Sequence, residues 1–156
     1  MTPGTYLPSD NPRVTPSEVP FYHCVPFQLR FSDFDLMGHL NNNIYFACMD
    51  MGKVDYFNTI VPEKVNIRDY GIVVAHVSAD FYAPTLPGES IEIWTTVTHI
   101  GERSFTLEQR IIESRTGETK CIGRTVMAGY DVKRGGSAPI PSRWIEAIRT
   151  YEKRDI

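Results

Sequence analysis

The sequence predicts an α+β fold: a curved antiparallel sheet of about five strands wrapped around one central helix, with a second helix at the C-terminal end. Three observations lead there. A single strand-like run precedes a helix that is apolar over most of its circumference, so other structure must enclose that helix. Four further strand-like runs follow with no helix between them, which favours antiparallel neighbours joined by short turns. An amphipathic helix closes the chain.

Residues 1–19 form a Pro-rich tail, and residues 20–156 read as a single domain. The tail carries Pro3, Pro8, Pro12 and Pro16 among small polar residues and shows no periodicity, so it is expected to be loose or to lie on the surface. From Tyr22 to Phe31 the apolar residues Val25, Phe27, Leu29 and Phe31 alternate with polar ones, the signature of a strand. Asn41 or Asn42 then caps a helix running to about Asn58, whose polar stripe is only Asp50, Lys53 and Asp55.

A Pro-containing connection leads to strands over Ile72–Tyr82, Ser90–His99, Ser104–Glu113 and Thr119–Val132, separated by Pro87-Gly88, Gly101 and Thr116-Gly117. Gly135-Gly136, Pro139 and Pro141 break the chain. Ser142 is placed to cap the closing helix, whose stripe is Trp144, Ile145, Ile148 and Tyr151. A sheet of this kind leaves an edge and an open face, so pairing with a second copy is expected.

Composition narrows the function classes. A hydrophobic fraction of 42% with 22% charged residues is that of a globular protein. The formal net charge of -3 argues against a nucleic-acid or anionic-membrane partner. No run approaches the ~18 apolar residues of a membrane span. Cys24, Cys48 and Cys121 are odd in number and widely spaced in apolar stretches. They read as buried free thiols of a reducing compartment, which points to the cytoplasm.

The segment from Phe31 to Tyr45 carries the chemistry. It sets Asp33 and Asp35, the turn residue Gly38, His39 and the run Asn41-Asn42-Asn43 at the mouth of the apolar helix. A carboxylate facing the free amides of a helix start can attack a carbonyl that those amides polarise, or activate water against it. Hydrolysis of an ester-like bond is the first expectation. For Asp35 the competing reading is a backbone cap or Asx turn. Asp33 reads as structural, holding the loop by accepting backbone N–H bonds. His39 is a loop support or substrate contact, a proton donor, or a metal ligand, although no further His or Glu has telling spacing and no metal is expected. His76 lies in an apolar strand, where a core or interface role competes with one in the pocket. His23 and His99 look like surface or strand-end residues. No Gly-x-Ser-x-Gly elbow surrounds Ser78 or Ser104, and no cysteine has an activating partner in sequence.

The pattern Asp35-x-x-Gly38-His39-x-x-Asn42-x-x-Tyr45 after a strand resembles the signature of the hot-dog-fold thioesterases, of the 4-hydroxybenzoyl-CoA thioesterase type. The strand ending Phe81-Tyr82-Ala83-Pro84 before Pro87-Gly88-Glu89 is similar too. The resemblance covers about Pro20 to Val132 and implies the hot-dog fold for the domain. It implies an acyl-CoA thioesterase that hydrolyses a thioester to a free carboxylic acid and coenzyme A. Asp35 would be the nucleophile or general base, and the backbone N–H of Asn42 would bind the carbonyl oxygen. Gly38 would keep the turn tight, and Tyr45 takes the family's aromatic position. Relatives often place a basic-Ser pair where Arg103 and Ser104 stand, as candidates for the coenzyme A phosphates along with Lys120, Lys133 and Arg134. No cofactor is implied, since coenzyme A is part of the substrate. The assembly implied is a homodimer or homotetramer with shared sites.

Three other readings are weighed. A thioesterase acting on acyl carrier protein would favour a basic rim, which is not evident. A hot-dog protein that binds an acyl ligand without turning it over would use Asp35 and Asn42 as scaffold. Asp33-Phe34-Asp35 as a haloacid-dehalogenase-type opening conflicts with four consecutive strands.

Overall fold

A computed structural model describes residues 4–61 and 71–156. The elements follow as β1 (His23–Phe27), α1 (Asn42–Ile60), β2 (Ile72–Phe81), β3 (Ile91–Ile100), β4 (Ser104–Glu113), β5 (Thr119–Asp131), β6 (Gly136–Ser137) and α2 (Ser142–Glu152). The sheet order is β1-β3-β4-β5-β2, antiparallel throughout, with the short β6 pairing on β5. Most of the Pro-containing connection after α1 falls outside the described residues.

The first strand is shorter than its alternation suggests. It ends at Phe27, and Phe31 is 98% exposed at the start of a 3-10 turn. The ladder stops because the Arg30 N–H donates to the Asp33 carboxylate at 2.8 Å instead of to a strand neighbour. Pro26 is tolerated because β1 is a sheet edge. At the far end of the chain, Pro141 rather than Ser142 occupies the cap position of α2.

Helix α1 lies across one face of the sheet. Tyr45, Cys48, Met49, Gly52 and Tyr56 are its buried face. Met49 and Cys48 pack with Ile91, Ile93, Ile111 and Cys121, and farther along Tyr56 packs with Val97, Phe105, Leu107 and Trp144 of α2. Gly52 permits this close approach: a Cβ there would stand 2.6 Å from Ile93 Cγ2. The opposite side of α1 is open in the single chain, with Phe46, Met51 and Val54 exposed.

The other face of the sheet is covered by the N-terminal segment. Leu7 and Phe21 are buried against Trp94 and Ile112, so the tail runs over the surface with its apolar side chains inserted. Cys48 and Cys121 are buried and their thiols are pushed up to about 12 by burial. Cys24, expected to be buried, is exposed instead, because it sits on the outer edge strand.

A buried polar network joins the lower ends of the helices. Glu152 is fully buried and accepts hydrogen bonds from Tyr56 Oη at 2.8 Å, Thr96 Oγ1 at 2.7 Å and the Val97 N–H at 3.1 Å, with Arg154 at 3.1 Å. His23 is at the strand start but is not a surface residue: it is 5% exposed. Its Nε2 lies 3.1 Å from Asp55 Oδ2 and its Nδ1 3.2 Å from Tyr151 Oη. Burial lowers its pKa, with Asp55 opposing the shift.

Candidate active site

The segment between β1 and α1 is a closed ladder. Asn41 N–H donates to the Asp33 carbonyl at 2.9 Å, Phe34 bridges Leu40, and Asp35 N–H donates to the His39 carbonyl at 2.8 Å. Gly38 closes the tip, donating to the Asp35 carbonyl at 3.0 Å with φ +73, a left-handed conformation in which a side chain is strained. Asp33 anchors the base of the ladder: it is 2% exposed and also ion-pairs Arg30 at 3.2 Å. It accepts a backbone N–H, the structural role its position in the turn suggested.

Asp35 is exposed at the tip, and its two oxygens differ. Oδ1 accepts the N–H of Met37 at 2.8 Å and of His39 at 3.1 Å. Oδ2 has no hydrogen-bond partner among the described residues. The carboxylate is thus fixed by one oxygen and presents the other. His39 contributes its backbone to this arrangement; its side chain is exposed.

Asn42 begins α1 two residues beyond Leu40. Its N–H has no partner among the described residues, as for any first-turn amide without a cap, and Asn41 makes no side-chain cap bond. Along the ladder the Asn42 backbone lies about three residues from Asp35, roughly 10 Å at ~3.3 Å per residue. Asp35 thus stands at the tip of the ladder and the Asn42 N–H at its base, with the Asp35 carboxylate held toward the tip by Met37 and His39.

Two further contacts hold the helix start. Tyr45 is buried, and its hydroxyl donates to Thr85 Oγ1 at 3.0 Å while accepting the Thr85 N–H at 3.2 Å. The Thr85 carbonyl in turn accepts the Leu40 N–H at 3.0 Å. The Tyr45 ring stacks edge-on against Phe81 at 5.2 Å. Burial raises the Tyr45 phenol pKa, so it remains a neutral donor. Thr85 and Arg30 carried no signal in the sequence. The loop partner of a motif residue is set by tertiary contact, and only the Pro84–Gly88 turn hinted at a bend there.

A cavity of about 1300 Å³ opens beside Asp35 and Gly38. Its apolar walls include Phe27, Leu29, Phe34, Leu36, Met51 and Ile91. Of the expected site residues only Asp35 and Gly38 line it; His39, Asn42, Tyr45, His76, Arg103 and Ser104 do not. His76 is exposed on β2, at the far edge of the sheet, next to a bulge. Arg103 and Ser104 stand at the start of β4, whereas the cavity touches Ser114 just past the end of that strand, roughly 30 Å away at ~3.4 Å per residue. Arg103 donates to the Ser137 carbonyl at 3.1 Å. Lys120 is not free for a ligand phosphate: it is buried and bonded to Glu118, Glu89 and the Pro84 carbonyl. Arg134 is exposed and pairs only loosely with Asp131, at 3.7 Å. Among the described residues no three metal-ligating side chains converge, and no helix is long and apolar enough to cross a membrane.

The fold and sequence have relatives. A structure of a thioesterase complexed with coenzyme A and Zn from Thermus thermophilus matches with a TM-score of 0.77 and 28% identity, covering 87% of this chain and 98% of that one. The uncharacterized protein YsmA of Bacillus subtilis is 27% identical over 131 residues, 76% of this chain and 88% of that protein. The 1,4-dihydroxy-2-naphthoyl-CoA hydrolase of Synechocystis is 23% identical over 84 residues, 54% of this chain and 61% of that protein. The family model described as the thioesterase-like superfamily matches residues 29–148, a span that holds the Asp35 ladder, α1 and the four long strands, and the chain therefore belongs to that superfamily.

Proposed function

We propose that the chain is an acyl-CoA thioesterase of the 4-hydroxybenzoyl-CoA thioesterase type, with Asp35 as the reacting carboxylate and the Asn42 N–H as oxyanion donor. Membership of the superfamily makes it a hydrolase of thioester bonds. The observation that carries the residue assignment is the asymmetry of Asp35: one oxygen tied by two amides, the other free at a large apolar cavity. Oδ1 makes the Asx turn that the competing reading of Asp35 expects, and the catalytic reading rests on the second oxygen, which that turn leaves unused.

Two routes use this geometry. In one, Asp35 takes a proton from water as the water oxygen adds to the thioester carbon. The carbonyl oxygen gathers charge facing the Asn42 N–H, the carbon–sulfur bond breaks, and the proton passes to the departing thiolate. In the other, Oδ2 itself adds to the carbon and expels the thiolate, and water then cleaves the resulting anhydride. A thiolate leaves readily, so positioning and charge stabilisation suffice and no cofactor is invoked. Glu89 and Glu92 on the cavity wall disfavour an acidic carrier protein as the acyl donor. The free buried thiols fit the cytoplasm. The exposed edge strand β2 favours a homodimer or homotetramer.

Thiol release from a panel of acyl-CoAs tests the proposal. Asp35→Asn is expected to lower kcat by at least about 10²-fold with the fold intact by circular dichroism. Unchanged turnover in that variant refutes the assignment. Incorporation of heavy oxygen from water into the Asp35 side chain under single turnover separates the nucleophile route from the base route.

A further inference from the structure

We propose that the cavity beside Asp35 is an acyl chamber within the single chain that selects neutral, apolar acyl groups of medium to long chain over acetyl. The inference rests on the thioesterase reading and adds a substrate class to it. Three features of the chamber support it.

The first is size. At about 1300 Å³ the cavity exceeds the ~300–1,000 Å³ common for small-molecule sites, far more than an acetyl group fills. The second is extent. The lining includes Pro26 and Phe27 of β1, Ile91 and Glu92 of β3, and Ser114 just past β4. Phe27 pairs with Ile91, and Ile91 with Glu113, so the lining crosses three adjacent strands. At ~4.8 Å per strand that is roughly 10 Å of chamber besides the reach to Asp35.

The third is charge. Asp35, Glu89 and Glu92 line the chamber against one guanidinium, Arg30, which is already paired with Asp33. Glu89 is engaged by Lys120 and Glu92 by the Trp94 indole. No unpaired cation among the lining residues welcomes the phosphates of coenzyme A or an acyl group ending in a carboxylate. The neutral acyl end of the substrate is the part that suits it, and the nucleotide end must leave by another path.

Met51 is the wall residue that α1 contributes, and it is 49% exposed, so a larger side chain there fills chamber space without disturbing the core. The test compares wild type, Met51→Trp and Val54→Trp. Val54 is also exposed on α1 but does not line the chamber. Two readouts are taken: thiol release from acetyl-, hexanoyl- and dodecanoyl-CoA, and calorimetric binding of decanol, a neutral chain.

Wild type is expected to favour dodecanoyl- over acetyl-CoA in kcat/KM. Met51→Trp should reduce that ratio at least about tenfold, as wall changes of this size do, and weaken decanol binding, while Val54→Trp moves neither. Thiol release with the same ratio in wild type and Met51→Trp, or a wild-type preference for acetyl, overturns the chamber and leaves the thioesterase reading standing. Decanol binding that Met51→Trp weakens, without thiol release from any acyl-CoA, overturns the thioesterase reading and upholds the chamber. Absence of both overturns both.

Discussion

Asp35 and Asp33 are two residues apart and have opposite fates, and the cause is local. Asp33 is buried, ion-paired and bonded to the Arg30 amide, whereas Asp35 sits beyond the Phe34–Leu40 bridge at a solvent-facing tip. The tip depends on Gly38. A Gly38→Val substitution meets no steric neighbour, yet places a β-branched residue at φ +73. The expected cost is on the order of 1–3 kcal/mol, because such a residue avoids the left-handed region. Since Met37 and His39 both donate to Asp35, kcat should fall more than Tm does; an unaltered kcat would mean the tip does not orient the carboxylate. Tyr45→Phe acts one layer deeper. It leaves the buried Thr85 hydroxyl and N–H without their partner, at a cost of about 1–3 kcal/mol. For a chain of this length that predicts a Tm drop of roughly 2–4 °C per kcal/mol by calorimetry.

At the scale of elements, the helix and strands were legible because their periods are strong. The four long strands begin and end within a residue of their patterned runs, since Gly and Pro turns punctuate them sharply. What the pattern missed involves groups whose partners are remote in sequence. Phe31 alternates correctly with Val25 and Phe27, but a side-chain bond to Asp33 ends the strand first. His23 looks like a strand-end histidine, yet Asp55 of α1 and Tyr151 of α2 close over it. The Asp35 turn was readable because its bonds span only a few residues, while the Thr85 clamp and the Met51 wall were not. The His23 contact gives an element-level prediction. Its folded pKa lies below the ordinary histidine value of 6.5, so near that pH the unfolded chain binds the extra proton. Its contribution is fully present above 6.5 and is lost as pH falls through 6.5 toward the folded pKa. Wild type should therefore lose Tm between about pH 7 and 5 more steeply than His23→Gln. Parallel Tm curves would show that His23 does not drive the loss.

For the whole molecule, the decisive surface is the β2 edge. Val73, Val74, Val77 and Phe81 are exposed there, and no other strand among the described residues covers that side. The face of the sheet opposite α1 already holds Leu7 and Phe21, whereas exposed apolar side chains remain at this edge, on the open side of α1 and at Phe31, Leu36 and Met37 of the turn before α1. Register determines what an antiparallel two-fold pairing of β2 with its copy would bring together. Ile72 pairs with Gly129 and Ser104 with Ala128, so Arg103 and Ser104 belong to the Ile72 end of the strand. Phe81, which stacks on Tyr45, marks the Asp35 end. An antiparallel pair sets the Ile72 end of each copy beside the Phe81 end of the other, which carries each Arg103–Ser104 pair toward the other copy's helix start. In one chain those groups are a strand length apart, and a pair built this way would bring them nearer to each other. Light scattering of wild type should therefore give at least twice the chain's 17.8 kDa. Val77→Asp puts a charge near the middle of β2, where the isolated chain leaves the side chain in solvent. It should yield a folded monomer whose thiol release has collapsed together with its assembly, and a monomer with wild-type turnover would show that each chain's site is complete alone.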